Sequence, residues 1–273
     1  MKTLANQTLL FDEDCPLCNA YTAGFIKAGM LDENGRKPYN SLTEADCQFV
    51  DANRARNEIA LVDYQNKTVT YGVDSLLKVI GNSFPVIEKV GKAKPVYWFL
   101  KKLYSFISYN RKVIIPNKKT AEGSLQCIPD FKYGYRMAYI VLATLITAAV
   151  LYNYSALITT LPVGNFSREL ILAVSQMIFQ GMFLIGRDRK ITLNYMGNLI
   201  TVSLMGSLLL LPILLLSGFI AIPQMVILGW FLLTAAIMFI EHYRRIKLLG
   251  LPRYLCFTWV LYRVIALGII LNL

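Results

Sequence analysis

The sequence predicts two parts, a small α/β domain over residues 1–112 and an all-α transmembrane bundle of about five helices over 135–273, joined by a basic linker over 113–134. Up to about Asp130 the residues are mixed and carry most of the charge, whereas beyond it long apolar runs alternate with short polar knots, as a bilayer requires. Within the first part, short apolar runs alternate with segments of helical spacing. At the first junction between the two kinds of segment stands Cys15-Pro16-Leu17-Cys18.

Thr8 to Asp12 reads as a short buried strand and Asn19 to Met30 as a helix, with Pro16 tolerated in the first turn, where its missing N–H would be unpaired in any case. Lys37 to Leu42 suits a second strand, and Thr43 to Arg56 a second helix with Thr43 as N-cap. Glu58 to Tyr64 and Lys67 to Tyr71 flank Gln65-Asn66 as the arms of a hairpin. Val73 to Ile80 follows as a helix stopped by Gly81-Asn82. This order of strand, cysteine pair, helix, strand, helix, hairpin and helix is a thioredoxin-like arrangement of helices on a small sheet. Pro95 to Arg111 has the spacing of a helix lying on the sheet or on a membrane surface, and a basic stretch from Arg111 to Lys132 leads to the bilayer.

The expected spans are Arg136 to about Leu161, Glu169 to Gly186, Tyr195 to about Leu216, Pro223 to Ile240, and Tyr254 to Leu273. Basic clusters precede the first span (Lys118, Lys119, Lys132, Arg136), follow the second (Arg187, Arg189, Lys190) and follow the fourth (Arg244, Arg245, Lys247, Arg253). With five crossings every cluster falls on one side, which predicts a cytoplasmic N-terminus and an outer C-terminus in the cytoplasmic membrane. Ser217 to Pro223 is nearly apolar, so a re-entrant pair is the competing reading for the third and fourth spans.

A net charge of +11 would suggest nucleic acid in a soluble protein, but here many Lys and Arg flank apolar runs, and the expected partner is the lipid bilayer rather than nucleic acid. The apolar run near the N-terminus ends at Asp12-Glu13-Asp14 without a small-residue cleavage site, so no secretory signal is expected. Of the five cysteines, Cys15, Cys18, Cys47, Cys127 and Cys256, only the first two are spaced as a functional pair, which argues against a secreted disulfide scaffold.

Cysteines three apart at a helix start can close a small disulfide, and the first sits where free N–H groups favour a thiolate. Cys15 is therefore expected to be the exposed nucleophile that forms a mixed disulfide with a protein substrate, and Cys18 the resolving thiol. Asp12, Glu13 and Asp14 oppose that thiolate by their charge. A zinc half-site is the rival, but it needs two further ligands, and the first domain has no His, so metal would require a dimer or partner. A purely structural pair remains the third reading.

FDEDCPLCN, YGVDSLLKVIG and LYSFISYNR, taken in order between Leu9 and Arg111, resemble the DCC family of predicted thiol-disulfide oxidoreductases. The resemblance covers the first domain and not the membrane part. It implies a thioredoxin-like fold with Cys15 and Cys18 as the redox pair, preceded by Asp12. Glu13 stands where the family usually has Gly, and no Pro falls between Pro38 and Pro85 to supply the proline that faces the cysteines in thioredoxins.

Cys47 reads as a partly buried structural thiol, and Cys127 and Cys256 as unpaired thiols at the margins of spans. Arg263 lies about 13 Å along its helix, a depth at which a basic residue is a membrane-site candidate. The competing reading pairs it with Gln176, Gln180 or Asn198. Glu241 and His242 read as solvated residues at the end of the fourth span. The bundle offers Cys256 alone near a span, so electron relay through it by disulfides is not expected; an anchor, a docking surface, or a lipid or quinone site are the alternatives. The functional expectation is a membrane-anchored thiol-disulfide oxidoreductase working as a reductase, with no cofactor beyond its dithiol, a protein thiol or disulfide substrate, and a cellular electron donor. A non-enzymatic scaffold or transport-associated protein with a regulatory or metal-binding cysteine pair is the alternative.

Overall fold

The computed structural model describes residues 2–116 and 129–272. It divides into two compact units, Met1–Tyr135 and Arg136–Leu273.

The first unit runs β1 (Gln7–Phe11), α1 (Pro16–Lys27), β2 (Arg36–Pro38), α2 (Glu44–Cys47), α3 (Ala52–Asn57), β3 (Ala60–Asp63), β4 (Thr68–Tyr71), α4 (Val73–Ser83), α5 (Pro85–Gly91) and α6 (Lys94–Ile114). Its four-stranded sheet has the order β2-β1-β3-β4. β1 pairs parallel with β2 and antiparallel with β3, and β3 pairs antiparallel with β4. The two-residue alternation of a strand makes β1 serve both faces. Leu10 packs with Tyr39, Val50, Ala55, Ala60 and Val62 on one side, and Leu9 with Leu31, Ile59, Leu61 and Val79 on the other. The β3–β4 turn is closed by Asp63, whose carboxylate accepts the backbone N–H groups of Gln65 (3.1 Å) and Asn66 (3.0 Å).

Several elements differ from expectation for identifiable reasons. β2 ends at Pro38, which cannot donate to a ladder, and the chain turns through a 3-10 helix at Tyr39–Ser41. The expected helix from Thr43 to Arg56 is two helices because it contains two N-caps. Thr43 and Asp46 form a capping box at α2, and the Asp51 carboxylate then accepts from Arg54 N–H (3.0 Å) to start α3. Gly81-Asn82 does not stop α4, which runs to Ser83. Gly81 instead gives room to Glu88 of α5, whose side chain occupies the space a Cβ would need. α6 extends to Ile114, so Arg111 and Lys112 belong to a helix rather than to the linker. Cys127 and the basic residues Lys118 and Lys119 lie outside the described residues.

The second unit contains most of α7 (Tyr133–Ser155), then α8 (Phe166–Met182), α9 (Arg189–Leu216), α10 (Gln224–Leu249) and α11 (Tyr254–Leu271). Among the described residues four helices, α7, α9, α10 and α11, are long and apolar enough to cross a membrane, and the protein is a membrane protein. The expected second span is the 17-residue α8. At about 26 Å it falls a little short of the ~30 Å hydrocarbon layer, and it buries Glu169, Gln176 and Gln180. Polar side chains tie the helices together where lipid offers no partner: Tyr139 to Thr201 (2.8 Å), Tyr154 to the Ile227 carbonyl (2.8 Å) and Trp230 to the Leu209 carbonyl (2.7 Å).

The reading of Glu241 and His242 as solvated residues is corrected. α10 continues past them for two turns, which turns His242 inward; it is 1 % exposed and stacks on Trp259 with ring centroids 5.5 Å apart. Glu241 holds Arg244 (2.6 Å) and Arg245 (2.8 Å).

Candidate functional site

Leu9, Leu10 and Phe11 pin β1 into the sheet, so the chain leaving its end is held where α1 begins. Cys15 is the N-cap of α1, in extended conformation, and Pro16 occupies the first turn without wasting a donor. Cys15 N–H donates to the Asp12 carbonyl (3.0 Å), which closes the turn, and its own carbonyl accepts Asn19 N–H (2.9 Å). One turn on, Thr22 donates its hydroxyl to the Cys18 carbonyl (2.8 Å). The two thiols are free and adjacent, packed with Phe11, Leu17 and Tyr21.

The electrostatics of the pair are asymmetric. The Cys18 thiol donates a hydrogen bond to the Cys15 sulfur, which, against the effect of burial and with help from the Cys18 backbone N–H and the Arg111 guanidinium, lowers the Cys15 pKa from 9.0 to about 6. Cys18, as the donor and as a buried group, is pushed well above the ordinary thiol range. Burial likewise raises Tyr21, whose hydroxyl bonds to Cys18.

The acidic triplet does not act as a block. Asp12 is 5 % exposed and turned inward onto Lys112 (3.0 Å) and Arg111 (3.5 Å) of α6. Glu13 accepts from the Asn40 side-chain amide (3.2 Å). Arg111, itself 5 % exposed, also donates to the Arg56 carbonyl (3.0 Å). The opposition expected between Asp12 and the thiolate is thus largely offset by two cations that come from a distant part of the chain.

Cys15 is not exposed: it has no accessible surface, and it is Cys18, 7 % exposed, that lines a cavity of about 300 Å³. The rest of the wall includes Asp12, Tyr21, Tyr104, Ser108 and Arg111, with aliphatic side chains from both faces of the sheet between them. Tyr104 is fixed by accepting Ile59 N–H (2.8 Å). No family model, curated protein or solved structure matches this chain.

The structure brings Cys15, Cys18, Asp12 and Pro16 together, and adds Arg111, Lys112, Tyr104 and Tyr21, which the sequence reading did not single out. LYSFISYNR held the signal for Tyr104 and Arg111, but a block tens of residues from the cysteines carries no statement of contact. Cys47, expected to be partly buried, is exposed at the end of α2 because that helix is a single turn whose buried face is taken by Asp46. Cys256 is buried in α11. Among the described residues no three His, Cys, Asp or Glu side chains gather as a ligand set.

Arg263 has none of its expected pairings. Asn198 accepts from Arg245 (2.9 Å), and Gln180 accepts from Tyr195 (3.0 Å) and Thr258 (3.1 Å). The Arg263 guanidinium instead lies over the Trp259 ring, 4.9 Å from its centroid.

Proposed function

We propose that the protein is a membrane-anchored thiol-disulfide oxidoreductase of the DCC type, built on a thioredoxin-like unit. The observation that supports this reading is the Cys15 sulfur at the start of α1, which accepts hydrogen bonds from the Cys18 thiol and backbone N–H within reach of the Arg111 charge. The strand order β2-β1-β3-β4, with the cysteines between β1 and α1, agrees with that fold.

In the reductase direction the Cys15 thiolate attacks one sulfur of a substrate disulfide, the substrate S–S bond breaks, and a substrate thiolate leaves. Cys18 then gives up its proton and attacks the Cys15 sulfur, which closes the Cys15–Cys18 disulfide and releases the second substrate thiolate. The substrate gains two electrons, and a cellular dithiol donor returns them to the pair. A cytoplasmic position for the first unit, from the distribution of basic residues, favours this direction. Because Cys15 has no accessible surface, substrate sulfur must approach through the cavity beside Cys18 or on opening of the Asp12–Cys15 turn.

The burial of Cys15 also favours a second reading, a non-enzymatic scaffold whose dithiol is regulatory. Cys18→Ser in intact cells separates the two. An enzyme accumulates mixed disulfides through Cys15, seen as reductant-sensitive adducts on a non-reducing gel and absent from Cys15→Ser/Cys18→Ser; a scaffold accumulates none.

A further inference from the structure

The second unit encloses a cavity of about 360 Å³, to which all five helices contribute. Its wall is mostly apolar, yet three residues in it carry buried N–H donors with no acceptor among the described residues, Arg263 Nε, Trp259 Nε1 and Gln176 Nε2, and the Thr147 hydroxyl in the same wall is likewise without a hydrogen-bond partner. Gln176 and Trp259 are 5 % and 4 % exposed, so water at the protein surface does not serve them. The donor on Arg263 also brings a positive charge, and no ion pair neutralises it among the described residues. The one carboxylate in the wall, Glu169, is held by Arg168 (2.7 Å) at the start of α8. Tyr262, which donates to the Leu172 carbonyl (2.7 Å) and bonds Ser175, fixes α11 against α8, so the three donors stand on a braced wall.

An unpaired buried donor costs about 1–3 kcal/mol, and more when charged. Three on one apolar cavity describe a site for a molecule whose head offers acceptors and negative charge and whose remainder is hydrocarbon. A volume near the low end of the ~300–1,000 Å³ usual for small-molecule sites suits one acyl chain rather than two. We propose that the bundle binds a single acyl chain with an anionic head, the head accepting from Arg263, Trp259 and Gln176. The chain comes either from a free fatty acid or from an acidic phospholipid of the surrounding bilayer. This site does not depend on the chemistry proposed for the cysteines.

The test uses the full chain in neutral detergent with Trp98→Phe and Trp230→Phe, which leaves Trp259 as the reporter. Dibrominated stearate should quench Trp259 saturably, and its uncharged methyl ester should bind roughly tenfold or more weakly, the equivalent of one charge-assisted hydrogen bond. Arg263→Gln should lose the preference for the acid, and Arg263→Lys should keep most of it, with helicity unchanged by circular dichroism. Should Arg263→Gln fail to fold, Ala235→Leu, which enlarges a small side chain of the cavity wall, should abolish saturable quenching while Arg263 remains. Saturable quenching by brominated phosphatidylglycerol in vesicles would assign the ligand to the bilayer, and quenching by the free acid alone would assign it to a fatty acid. Equal quenching by acid and ester, or none that saturates, would overturn the proposal.

Discussion

Cys15 and Cys18 differ in two ways that pull apart. The sulfur with the lowered pKa is the one without exposed surface, and the sulfur that meets the cavity is the one held protonated. The donors and the Arg111 charge that favour the thiolate stand beside Phe11, Leu17 and Tyr21, which pack around the pair and leave Cys15 no accessible surface. The pH profile reads this directly. Alkylation by a small haloacetamide follows the thiolate fraction, so the Cys15 rate should rise through about pH 6 and level off by neutrality, instead of climbing to the ordinary thiol midpoint of 9.0. Cys18→Ala removes the main donor, and Arg111→Met removes a cation, so each should move the midpoint upward. Since the folded state holds Cys15 at the lower pKa, the stability it contributes is complete above about pH 9.0 and is lost as pH falls through about 6.

At the scale of elements, the join between β4 and α4 sets how the helices of the first unit sit over the sheet. Gly72 there has φ 63° and ψ −130°, a region that residues with a Cβ avoid, and its N–H donates to the Ile59 carbonyl (2.8 Å). A Cβ at Gly72 would meet the Glu58 carboxylate at 3.0 Å. Gly72→Ala should therefore cost about 1–3 kcal/mol, read as a lower midpoint in thermal unfolding of the full chain with unchanged cysteine count by thiol titration. The same elements show where local patterns mislead. YGVDSLLKVIG predicted α4 well at its start, because Gly72 breaks a strand and Asp74 suits a first turn, and poorly at its end, because Gly81 serves close packing against Glu88 rather than a stop. Thr43 was legible as an N-cap, whereas the second cap at Asp51 was not, since helical spacing runs through it unbroken.

For the whole molecule the open quantity is how many times the chain crosses the bilayer, and α8 decides it. Four helices meet the length and hydropathy a span needs, and α8 is the fifth element of the bundle at 17 residues. With α8 across the membrane the termini lie on opposite sides, as the basic clusters imply. A single cysteine introduced at Asn272 in a chain otherwise free of cysteine should then react with an impermeant maleimide in intact cells, and one introduced at Lys2 only with a permeant reagent. Labelling of both positions by the same reagent class alone would put both termini on one side and leave α8 short of crossing.

What the sequence alone determined are the features set by local pattern: the division into a mixed unit and an apolar one, the short apolar run of β1 and the hairpin of β3 and β4, the long apolar helices, and a cysteine pair at a helix start. Each depends on residues within a turn or two of one another, and hydrophobic periodicity reports such neighbourhoods directly. Tertiary structure alone decided what stands around them. Asp12 reads as a repelling charge until α6 returns Arg111 and Lys112 to it. Cys15 reads as exposed until Phe11, Leu17 and Tyr21 close over the turn. Arg263 reads as one member of a polar pair until Asn198 and Gln180 are seen to be taken by Arg245 and Tyr195, which leaves it facing a cavity. Burial and charge pairing are sums over groups brought from the whole chain, and the spacing of residues along the chain carries no record of those distances.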